Sequence, residues 1–104
     1  MSAGDFETAV QLLLNQVGHW EAGRWHAPAK TGGTRGEVVF ALVQRLADRA
    51  ADAEQGRHRP VPRLADTVLP DQLRVMADDL IAADPPAEVL TQATEAVTET
   101  RTRL

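Results

Sequence analysis

The chain has no cysteine, which removes disulfide frameworks, thiolate zinc sites, iron–sulfur clusters and cysteine nucleophiles together. It has no apolar run long enough to cross a bilayer. The stretch MSAGDFETAV carries an acid at Asp5 and no base ahead of its apolar residues, so it does not read as a secretory leader. No membrane partner and a reducing, cytoplasmic setting are therefore the expectation. No segment alternates apolar and polar residues for long enough to build a sheet, and no unit repeats. Lysine is nearly absent: all but one of the 11 bases are arginine. With alanine as the commonest residue, that is the bias of a high-GC bacterial genome and no guide to chemistry.

What is present fits one domain. A length of 104 residues leaves little room for a second core, and large apolar residues run along nearly all of it. The net charge of −4 argues against a dedicated nucleic-acid binder, but the charge is uneven. Residues 1–23 hold 3 acids and no base, residues 24–63 hold 8 bases against 4 acids, and residues 64–104 hold 3 bases against 8 acids. Opposite charges facing each other across the folded domain is the simplest expectation, and a basic docking surface in the middle segment is the alternative.

Helical periodicity gives four segments. Phe6, Val10, Leu13, Leu14 and Val17 share one face of a helix over 5–17, which Gly18 stops. Thr34 and Glu37 form a capping box at the start of a helix over 35–55, with Val39, Leu42, Val43 and Leu46 on its apolar stripe and Gly56 as its close. Pro70 opens a third helix over 71–83 with Leu73, Ala77 and Leu80 inward. The fourth covers 87–101, where repeated threonines lower the propensity and predict a frayed end. Between them lie two long connections, 18–33 and 57–70. The first is expected to contain a helical turn or to be pinned by Trp20 and Trp25. The fold expected is all-α, a compact four-helix single domain arranged as an irregular or orthogonal array.

Three places concentrate functional groups. The cluster His19, Trp20, Glu21, Arg24, Trp25 and His26 matches no metal-ligand spacing and lacks a serine, cysteine or lysine for nucleophilic work. No catalytic residue, metal or cofactor is assigned. The two indoles are expected to be buried anchors with their N–H groups and the histidines facing water, with Trp20, Trp25, Arg24, His26 and Arg35 as candidates for a small ligand or anion. The turn from Lys30 to Gly36 precedes a helix N-terminus, a place that can receive an anion, but the Walker spacing that would mark a phosphate loop is absent. The stretch RHRPVPR over 57–63 is extended and stiff. Its arginines, Arg57, Arg59 and Arg63, are expected either to meet the acidic fourth helix or to recognise an acidic partner.

Leu12 and Val75 fall off their helices' apolar stripes and Phe40 lies at the margin of its own. These three are candidates for an interface with a second copy or another protein. A helix-turn-helix is ruled against, because the connection ahead of the third helix is too long and that helix carries one base, Arg74. The favoured function is a non-catalytic protein-interaction or regulatory module. A small-ligand or anion binder using residues 19–36 is the first alternative, and a nucleic-acid-associated protein acting through 24–63 the second.

Overall fold

The helices start and stop on identifiable side chains. In the computed structural model, which describes residues 2–104, α1 spans Ala3–Val17. It begins two residues earlier than Asp5 because Ser2 and Asp5 form a reciprocal cap: the Ser2 hydroxyl accepts from the Asp5 N–H and the Asp5 carboxylate accepts from the Ser2 N–H. A five-residue helix, α2, spans Ala22–His26 inside the first connection. α3 spans Arg35–Ala53 behind the expected Thr34–Glu37 capping box. The Thr34 backbone N–H, donated to the Glu37 carboxylate, holds that group below the usual carboxylate range.

α3 ends at Ala53, and Gly56 is not the residue that turns the chain. Gln55 takes the left-handed conformation (φ 58°), while its N–H donates to Asp52 O and the Gly56 N–H to Ala51 O. This is a Schellman ending with glutamine where glycine is the usual occupant. A 3-10 turn over Asp66–Val68 then leads into α4, Leu69–Ala82, so the third long helix begins before the expected residue 71 and ends one residue before 83. α5 runs Ala87–Arg103, two residues beyond the expected limit, and its end does not fray. Thr94 and Thr100 are buried with their hydroxyls donated to Leu90 O and Ala96 O, which meets the polar demand that made threonine look unfavourable. Leu104 is buried, and Arg103 O accepts from the Lys30 N–H at 2.8 Å.

The four long helices close a ring of neighbours. α3 packs on α4 and α1 on α5, while α3 also meets α5 and α1 also meets α4. Phe6, Leu13, Leu42, Leu46, Leu69, Leu73 and Leu80 are fully buried in the shared core. Each such side chain contributes roughly 1.5–3 kcal/mol, so packing outweighs the poor propensity of α5. The seam between α1 and α4 is crossed by Arg74, which pairs with Glu7 at 2.7 Å and with Asp78 at 2.8 Å. No strand and no helix long and apolar enough to cross a membrane occur among the described residues.

Candidate functional site

The first connection folds around its indoles. The Trp20 backbone N–H donates to Val17 O, Glu21 stands at the N-cap of α2, and the Trp25 backbone N–H returns to Glu21 O. The chain then reverses through Gly32 and Gly33, whose φ values of 102° and 72° place them where side chains are strained. That reversal brings Pro28 beside Thr34 and lets the Arg35 N–H reach Ala27 O. The Trp20 and Trp25 rings meet edge-on, 5.0 Å apart at 71°. Trp20 is 6% exposed and Trp25 fully buried. Against expectation their N–H groups do not face water, for both Nε1 atoms are buried and without a hydrogen-bond partner. The face of Trp20 is covered by two arginines. The guanidinium carbons of Arg24 and Arg35 lie 5.0 and 5.2 Å from the Trp20 ring centroid, and an Arg35 N–H donates to Arg24 O. A shallow recess of about 300 Å³ opens beside them, lined by His19, Trp20, Glu21, Gly23 and Arg24.

His19 and His26 are exposed. Among the described residues no three His, Cys, Asp or Glu side chains gather as metal ligands. At the turn before α3, the Glu37 carboxylate already occupies the helix N-terminus by accepting the Thr34 N–H, so that position is filled by an internal anion.

The second connection is held by polar side chains of α3. His58 Nε2 lies 2.6 Å from Asp52 Oδ1 and its Nδ1 lies 3.8 Å from Asp48 Oδ1, which pushes the imidazole above its ordinary value, chiefly through the Asp52 hydrogen bond. Gln44 donates to Arg59 O and accepts from the Val61 N–H, and Val61 is buried. Farther along, Arg63 stacks over Phe40 at 4.9 Å and pairs with Asp66 at 2.6 Å. The loop therefore runs back along α3. Its arginines do not meet α5, which corrects the expected pairing with the acidic fourth helix. Arg57 and Arg59 form no ion pair among the described residues and line a recess of about 510 Å³. Ala47, Ala50, Ala51, Val61 and Met76 make its floor, with Glu54 and Asp79 on the rim.

Among the described residues, Arg63 is the one arginine or lysine of 24–63 with a carboxylate at ion-pair distance, and its partner Asp66 is local, while Arg74 and Glu7 pair between distant segments. Asp66 is positioned by Gly36: a Cβ there would lie 2.5 Å from its Oδ1, so the bare first turn of α3 admits the carboxylate that holds Arg63.

Of the interface candidates, Leu12 is 46% and Val75 51% exposed, while Phe40 is half-buried under Arg63. At 100° per residue Leu12 lies well around α1 from Glu7, the residue that faces α4 through Arg74. Leu12 thus points away from α4. Sequence reasoning missed Gln44, which looks like a solvated helix residue, and Leu64, which is 51% exposed in the second connection. No family model, curated protein or solved structure matches the chain.

Proposed function

We propose that this protein is a non-catalytic interaction module that seats a segment of another protein chain in the recess between α3, the 57–63 loop and α4. One observation carries the reading: Arg57 and Arg59 stand unpaired at an apolar floor, whereas the neighbouring His58 and Arg63 are held by carboxylates. An apolar floor with a mixed-charge rim is the anatomy of a protein interface, and the stiff loop presents its cations at little cost in conformational entropy. The segment that fits carries a small apolar side chain for Ala47, Ala50 and Val61 and a carboxylate for the two arginines.

Affinity capture with the parent chain and with an Arg57→Glu/Arg59→Glu variant tests this. A protein retained by the parent and lost from the variant, with melting temperature unchanged, is the expected result. Retention indifferent to the double charge reversal, or no protein retained, defeats it.

A further inference from the structure

We propose that the recess beside Trp20 binds the carboxylate of a small organic ligand, held by the guanidinium of Arg24 in its wall and reached by that of Arg35, which stacks on the same indole outside the lining. It is a separate site from the groove above, and either assignment can fail without the other. Three buried donors around Trp20 have no acceptor. Trp20 Nε1, Trp25 Nε1 and Arg35 Nε are buried and unpartnered, and among the described residues only Gln72 Oε1 and Arg74 Nε share that condition. The three lie in side chains linked by ring contacts of 5.0 and 5.2 Å. All three are donors, so an acceptor is the complement this cluster lacks.

The charges point the same way. Among the described residues Arg24 forms no ion pair and its guanidinium lies over the Trp20 ring, while Arg35 uses one N–H on Arg24 O. Two cations crowd one indole, and cation–π attraction of about 0.5–1 kcal/mol each at open positions is opposed by their mutual repulsion. An anion between them turns that repulsion into two attractions, and the planar guanidinium fork matches a carboxylate. The recess, about 300 Å³, is at the small end of ligand sites. Glu21 also lines it, and its charge opposes a dianion more than a monoanion. A singly charged carboxylate is therefore a better fit than phosphate.

The indoles report on the site directly, because the chain has 2 tryptophans and no tyrosine. Acetate and benzoate are titrated at fixed ionic strength, with inorganic phosphate in parallel, and the two indole N–H resonances are followed by NMR. The expected result is a saturable shift with the carboxylates, weaker with phosphate, and binding weakened about tenfold or more in Arg24→Gln. Arg24 is exposed, so that variant is expected to melt like the parent, and Arg57→Gln is expected to bind like it. No saturable shift with either carboxylate, equal binding by Arg24→Gln, or tighter binding of phosphate overturns the proposal.

Discussion

The two long connections are anchored by opposite chemistries. Residues 18–34 are fixed by buried surface, with two indoles packed edge-on and a short helix built around one of them. Residues 57–65 bury one large side chain, Val61, and are otherwise fixed by polar contacts: hydrogen bonds with Gln44 of α3 and from Gln72 of α4 to Pro62 O, the His58–Asp52 contact, and Arg63 on Phe40 and Asp66. Apolar anchoring is non-directional and scales with area. Polar anchoring depends on a few atoms in register, each worth about 0.5–1.5 kcal/mol net. The first connection belongs to the core, and the second is fastened to its outside.

The largest effect expected from this contrast is at Trp25. Trp25→Ala removes a fully buried indole and should cost about 3–5 kcal/mol, seen as global loss of stability in thermal or urea unfolding. A cost near that of a surface substitution would place the first connection on the same footing as the second.

Gln44→Ala comes next, at about 1–2 kcal/mol, since it removes three hydrogen bonds, two of them to the second connection, and leaves the Val61 N–H without its acceptor. Its signature is local. Amide exchange should quicken at Val61 while core amides keep their order of protection. Equal loss of protection throughout would mean that the second connection is as integral as the first.

Smaller and opposite in sign is Gln55→Gly, at the α3 ending ahead of the loop. Relieving a side chain at φ 58° should stabilise by about 0.5–1 kcal/mol, read as a raised melting temperature. A lowered one would show that the glutamine side chain contributes more than its strain costs.

The smallest effect is pH dependence at exposed His58. Its folded-state value is raised above 6.5, first by the Asp52 hydrogen bond, so the folded chain holds the proton more tightly than the unfolded chain. This part of the loop's anchoring is complete below 6.5 and is lost as pH rises through the folded-state value. His58→Gln should flatten the pH dependence of amide exchange in 57–61. An unchanged profile would remove the histidine from the anchoring.

The same contrast explains what the sequence made legible. Helical periodicity, the Thr34–Glu37 box and the burial of Trp20 and Trp25 follow from local spacing and side-chain area, which a linear reading sees. Gln44 and Asp66 act through partners 17 and 3 residues away, and nothing in either residue type announces that role. Gln55 hid the end of α3 because glycine one position later offered the more familiar stop. At the candidate sites, Trp20 and Arg24 stand out by density of functional groups and Arg35 by its place in the turn before α3, and the three meet at one ring. Arg57, Arg59 and Arg63 looked equivalent in the sequence. They differ because Asp66 reaches one of them across the bare backbone of Gly36.

The bond from the Lys30 N–H to Arg103 O, reinforced by the Arg103 side chain on Thr31, 72 residues away, ties the tryptophan-bearing turn to the end of α5. During translation, α1 and α3 are made long before residue 103 leaves the ribosome, yet the 28–34 turn stays one backbone bond short until it does. Vectorial synthesis therefore completes this turn only once α5 has been made, although its own residues appear early. A ribosome stalled before residue 103 would hold a nascent chain whose indoles already report burial while the Lys30 amide still exchanges freely.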